Sequence, residues 1–222
     1  MLEAFNFRVI LEYMPLYGQC FLATLWMSGL ALLGAILVGI VACGMRLGQV
    51  RSLSVLAGIF LESIRSTPLL VQLYFFYFGL PTLGIMFPEW VTGVIALTLN
   101  SGAYYAEIIR SGIQSIDSGQ TEAGIASGMN YFQRMRYIIL PQALGMTIRP
   151  MLGQAIVLVK DSSLLSLISI LELTRAGQLL TSDRFMPAEG FLTTAVFYLI
   201  LYYMLKWFSS WSEKRLIFRE AH

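Results

Sequence analysis

Four long stretches without a charged side chain constrain this chain more than any other feature. No Asp, Glu, Lys, Arg or His occurs in residues 13–45, 66–88, 90–106 or 190–205. A helix rises about 1.5 Å per residue, so crossing the hydrocarbon core of a bilayer takes roughly 17–25 apolar residues. The four stretches approach or exceed that length. Composition agrees: 57% of residues are hydrophobic and 13% are charged, where a soluble domain carries about 25% charged residues. This excludes a disordered chain, a nucleic-acid-coating protein and most soluble enzymes. The chain reads as an all-α polytopic membrane protein.

Five spans are expected, over residues 19–45, 53–78, 90–109, 144–170 and 190–209. Gly29, Gly34, Gly39 and Gly44 in the first predict close helix packing. The second contains Glu62 and Arg65, which at i, i+3 can neutralise each other, and it breaks near Pro68. Arg149, Lys160 and Asp161 interrupt the fourth. Residues 5–17, with Arg8 and Glu12 among apolar neighbours, read as a short interfacial helix. The N-terminus lacks the basic region and cleavage site of a signal peptide. Cys20 and Cys43 fall at opposite ends of one span, about 35 Å apart, too far to pair. The single histidine, His222, is the last residue.

Basic residues orient the spans. Arg46 and Arg51, then Arg110, Arg134 and Arg136, then Lys206, Lys214, Arg215 and Arg219 cluster on one side. This predicts an external N-terminus and a cytoplasmic C-terminus. No Gly/Ser linker, charge run or internal repeat divides the chain, so residues 1–222 are taken as one domain.

The connection over residues 111–141 is longer than two spans need, and it is patterned. Asp117 followed by Gln120 marks a helix start and Gly128 its end. Asn130 followed by Gln133 marks a second start, in a helix expected to yield near Pro141. On pattern alone this is either a machine part or a helix pair resting on lipid.

The residues themselves add a resemblance. Glu122-Ala123-Gly124, then Gly128, then Ile139-Leu140-Pro141 resemble the EAA signature of permease subunits of ATP-binding-cassette importers, with Gly124 in place of the second alanine. Residues 65–72 (RSTPLLVQ), 101–113 (SGAYYAEIIRSGI) and 160–164 (KDSSL) resemble the polar amino-acid branch of that family. The likeness extends from about residue 19 to residue 215.

The resemblance implies a type I importer fold in a bacterial cytoplasmic (inner) membrane, with 111–141 as the coupling-helix loop. Glu122, Ala123, Gly124, Gly128, Leu140 and Pro141 are the implied ATPase-coupling residues. The implied partners are an ATPase dimer, a second permease copy or a homologous permease, an extracellular or periplasmic amino-acid-binding protein, membrane lipid and a polar amino acid, with no nucleic acid. No cofactor is expected on this chain, and no metal. It has no GxxxxGK[ST] phosphate loop, so ATP and Mg are used by the partner and the chain is no enzyme.

Ionisable and polar residues inside spans mark pathways or helix contacts. Asn100, Tyr104 and Glu107 share one face of the third span at i, i+4 and i+7, and Gln154 and Asp161 share one face of the fourth. These five are the candidate substrate contacts, with carboxylates facing the ammonium and amides facing the carboxylate of an amino acid. Glu107 lies near the end of its helix, where it also suits a gate. Asp161 can instead pair with Lys160 or Arg149, and each residue can serve as an interhelical tie. Two rivals remain. A membrane enzyme needs a nucleophile–base pair or a metal set that the terminal histidine does not supply. An ATP-independent homodimeric transporter or channel needs neither ATPase nor binding protein.

Overall fold

The computed structural model describes residues 5–217, with side chains to residue 211. Arg219 and His222 lie outside the described residues, and the side chains of Lys214 and Arg215 lie outside the described set. Every regular element among the described residues is helical. The chain runs α1 (Phe7–Leu47), α2 (Arg51–Arg65), α3 (Leu69–Tyr74), a π-helical turn (Phe75–Gly79), α4 (Leu80–Thr82), α5 (Glu89–Gln114), α6 (Ser118–Ala126), α7 (Tyr131–Arg134), a second π-helical turn (Met135–Ile139), α8 (Leu140–Asp161), a 3₁₀ segment (Ser162–Ile168), α9 (Leu173–Arg184) and α10 (Pro187–Ile217).

Three helical stretches among the described residues are long and apolar enough to cross a membrane: Phe7–Leu47, Tyr131–Ile168 and Pro187–Trp211. A fourth is the pair Arg51–Arg65 and Leu69–Thr82 if it counts as one broken span, bent by 105°. The expected third span, α5, has the length but not the apolarity. Its environment explains this: Asn100, Ser101, Gly102, Ala103, Tyr105 and Ala106 are all buried, so α5 faces protein rather than lipid and can be polar. It packs along α1 more extensively than any other pair of helices, and also against α8.

Two expected boundaries move. The interfacial helix over 5–17 is continuous with the first span as one helix of 41 residues. Asn6 caps it by accepting from the backbone N–H groups of Arg8 and Val9, and Pro15 sits inside without ending it. The second loop helix does not yield at Pro141 either; Tyr131 to Ile168 is one span. A proline ring collides with the carbonyl of residue i−4 and offers no N–H. Here that carbonyl belongs to Tyr137, the middle of the π turn Met135–Ile139. Widening the helix there relieves the collision. The same solution recurs at Pro81, whose i−4 residue, Tyr77, is the middle of the π turn Phe75–Gly79.

The core is threaded by α1. Met27, Ala31 and Ala35 pack with Leu97, Tyr105, Leu158 and Leu165 in one cluster. Nearer its start, Tyr17 and Cys20 pack with Leu173, Ala176, Leu180 and Leu201 in a second. Cys20 and Cys43 are both buried free thiols.

Between the spans, the fully buried Glu172 caps α9. Its carboxylate accepts from Thr174 N at 2.9 Å, Arg175 N at 2.8 Å and Tyr198 Oη at 2.7 Å. Those bonds favour the charged form, but burial outweighs them and raises the carboxyl to about 7. The folded state therefore keeps a proton that the unfolded chain releases above about pH 4.5. Stability contributed by this group is full below that pH, declines as pH rises towards 7, and is flat beyond. Thermal unfolding of the purified protein should show a lower midpoint at pH 8 than at pH 5, and Glu172→Gln should flatten that difference. An unchanged pH profile in the variant would assign the dependence elsewhere.

Candidate functional site

The 105° break between Arg51–Arg65 and Leu69–Thr82 shapes the candidate site. Proline at 68 has no N–H to continue α2 and presets the start of α3, for which it is the cap residue. Gln72 then fastens the break: its Nε2 donates to Ile64 O at 2.7 Å, Thr67 O at 3.0 Å and Thr67 Oγ1 at 2.9 Å. Asn100 Nδ2 on α5 donates to Gln72 Oε1 at 3.1 Å. The corner is thus tied to the central helix through the buried side chains of Gln72 and Asn100, while Ser66, Thr67 and Pro68 themselves stay exposed.

A cavity of about 530 Å³ opens beside this corner. Four of the five candidate contacts line it together: Asn100 and Tyr104 from α5, Gln154 and Asp161 from α8. Arg65 and Ser66 close the wall from the corner. Gln154 Nε2 approaches Ser101 Oγ at 3.5 Å. Asp161, partly buried, lines the cavity and feels the charge of neighbouring Lys160. Tyr105, by contrast, turns away and donates its hydroxyl to Met151 O at 2.9 Å.

Glu107, the fifth candidate, is elsewhere. It lies in a second polar cavity, also about 530 Å³, with Arg46, Glu62, Arg65 and Arg110. It pairs with Arg110 one turn on and with Arg65 Nη1 at 3.5 Å. The expected Glu62–Arg65 pair is therefore replaced: the corner swings the end of α2 against α5, where Arg65 reaches Glu107 and lies over the Tyr104 ring, 5.9 Å from its centroid. Sequence reading missed Arg65 as a cavity residue because its intrahelical partner appeared sufficient. Its place immediately before the Ser66-Thr67-Pro68 break was the available signal.

The loop forms as its caps dictate. Asp117 Oδ1 accepts from Gly119 N at 2.7 Å, and α6 ends at Gly128, whose φ of +76° favours glycine. Asn130 and Gln133 form a reciprocal capping box. Glu122 and Ala123 are exposed, whereas Gly124 is buried. A Cβ at Gly124 would meet Arg134 Cδ at 2.9 Å. The glycine lets the Arg134 stem cross α6 and donate to Met129 O at 2.8 Å. Phe132, 82% exposed, and Tyr131, Tyr137, Ile125 and Leu140 give this end an uncovered apolar surface. Pro141 is exposed beside Leu140.

Residues 25–218 match the family described as binding-protein-dependent transport system inner membrane component. The chain is 37% identical over 211 residues to a probable glutamine ABC transporter permease protein, GlnM, of Bacillus subtilis, covering 95% of this chain and 98% of that one. It is 36% identical over 214 residues to the glutamine transport system permease protein GlnP of Escherichia coli K12, covering 96% and 98%. Among solved structures, an amino acid ABC transporter crystallised with histidines superposes with a TM-score of 0.91 at 34% identity, over 96% of this chain and 99% of that chain. The inward-facing methionine transporter MetNI shares the fold, with a TM-score of 0.73 at 21% identity over 91% and 97%. The chain belongs to the binding-protein-dependent transport system inner membrane component family, as a non-enzymatic permease subunit of an ATP-binding-cassette importer whose ATPase is a separate subunit.

Proposed function

We propose that this permease moves a polar amino acid, received from a periplasmic or extracellular binding protein, through the cavity at the α2–α3 corner. The observation that carries the reading is the cavity's chemistry: one carboxylate, Asp161, and two amides, Asn100 and Gln154, converge beside a broken helix. An α-ammonium is recognised by Asp161 and polar substrate groups by the amides. The names of the relatives, glutamine permeases and an amino acid transporter, favour the same class.

The distribution of Lys and Arg supports an external N-terminus and a cytoplasmic α6. There the exposed Glu122 and Ala123, with the aromatic surface around Phe132, form the contact with the ATPase, whose Mg and ATP supply the energy. Gly128 and the Leu140-Pro141 pair fix the angle at which α6 is presented. The chain acts as one domain. A second permease, identical or homologous, completes the pathway, because this bundle alone is too small to enclose an amino acid and gate it on both sides.

Reconstituted transport with the ATPase and binding protein tests the reading. Asp161→Asn and Gln154→Ala should raise the KM of uptake about tenfold or more, as loss of one charged or polar contact does, and should change preference among amino acids. Asn100→Ala also frees Gln72 from α5, so its effect includes the corner and is read beside Gln72→Ala. Unchanged KM and preference in the Asp161 and Gln154 variants would reduce both to helix ties.

A further inference from the structure

The two polar cavities meet at Arg65, Ser66 and Tyr104, which line both. Among the described residues that line the first cavity, Arg65 is the one cation and Asp161 the one anion. In the second, Arg65 is held by Glu107, which is itself held by Arg110. The second cavity is nearer the α6 end: along α5 the wall passes from Asn100 through Tyr104 to Glu107 and Arg110. One guanidinium thus stands at the boundary, with one side on the proposed substrate cavity and the other on a carboxylate beyond it.

We propose that Arg65 is a carboxylate-exchange residue: Glu107 holds it when the first cavity is empty, and the carboxylate of the amino acid takes it when the cavity fills. The inference rests on the proposed substrate cavity and assigns its missing anion receptor. The chemistry follows from the guanidinium. It is always charged, it binds carboxylates through a planar fork, and a pair at 3.5 Å with both partners partly exposed is readily exchanged. A zwitterion then spans the cavity from Asp161 to Arg65. Release of Glu107 loosens the boundary with the second cavity, because Arg110 retains Glu107 after Arg65 lets go. Ligands lacking a carboxylate do not make the exchange and should not pass.

The experiment uses the whole importer in proteoliposomes and compares glutamine with glutamine amide, which lacks the α-carboxylate. In the parent complex, glutamine amide should be transported poorly. Arg65→Gln should raise the glutamine KM about 10- to 100-fold and remove discrimination against the amide. Arg65→Lys, which keeps the charge but loses the fork, should be intermediate. Glu107→Gln should lower the glutamine KM, since the competitor is gone, and its effect should vanish in the Arg65→Gln background. Unaltered KM and discrimination in Arg65→Gln, or additive effects of the two substitutions, would overturn the exchange. Failure of the cavity itself is distinguishable: then Asp161→Asn and Gln154→Ala also leave KM and preference at parent values. If those two alter preference and Arg65→Gln does not, the exchange alone is wrong.

Discussion

Replacing Glu122 by lysine should leave the importer assembled in the membrane while substrate-driven uptake falls roughly 100-fold or more, the scale of reversing a charge in a tight protein contact. The side chain is exposed at the middle of α6 and makes no hydrogen bond or ion pair among the described residues. Asp117 caps the helix and Gly128 ends it, so lysine at 122 does not alter the local fold. Any loss therefore falls on the contact with another subunit. The measurement is paired: uptake in proteoliposomes, and ATP hydrolysis by the same preparation with and without loaded binding protein. Hydrolysis that no longer responds to the binding protein, with subunits still co-purifying, is the expected signature of uncoupling. Normal uptake would remove Glu122 from the coupling surface, and failure to co-purify would make it an assembly residue.

The loop was legible because its information is local. Asp117, Gly128, Asn130 and Gln133 each act within a few residues of their own backbone, so caps and corner could be read in order along the chain. The polar stripes were legible for a related reason, since helical periodicity alone puts Asn100 with Tyr104 and Gln154 with Asp161. What periodicity cannot supply is the relation between helices. Arg65 finds Glu107, 42 positions along the chain, only because a 105° bend brings α2 against α5. Nothing in the local sequence of Glu62 and Arg65 distinguishes that outcome from an intrahelical pair.

The prolines show the opposite failure. Pro141 was read as a stop because proline breaks an ideal α-helix, but one π turn absorbs the break and the span continues. Apolarity misled in the same way at α5. A hydropathy pattern detects helices that face lipid, and this one is enclosed by α1, α8 and the corner, where polar side chains find partners. Its burial is a property of the assembled bundle. Gly124 belongs here too: it stands where the family signature has its second alanine, and it makes room for the Arg134 stem.

Gly39→Val should abolish accumulation of folded permease, whereas the same change at Gly29 or Gly44 should be tolerated. The four glycines look equivalent in the sequence, yet only two of them make close helix contacts. A Cβ at Gly39 would lie 2.6 Å from Tyr105 Cβ and 3.1 Å from Ala106 N. Those atoms belong to the α5 backbone and the root of a fully buried side chain, so they cannot swing aside as a flexible side-chain tip can. Gly34 is the milder case, because its nearest neighbours are the side-chain tips of Thr98 at 2.8 and 2.9 Å. At Gly29 and Gly44 nothing lies within 4 Å. Overpacking a well-packed site costs about 1–3 kcal/mol when neighbours can adjust. Here adjustment means moving α1 away from α5 along the largest helix contact among the described residues, and α5 also carries Asn100 and Tyr104 to the first cavity. The loss should therefore exceed that range and consume much of a typical stability of about 5–15 kcal/mol. Yield of monodisperse protein and its unfolding midpoint, compared across Gly29→Val, Gly34→Val, Gly39→Val and Gly44→Val, provide the measure. Equal behaviour of all four would mean that α1 and α5 do not approach closely, and the cavity walls built on α5 would have to be redrawn.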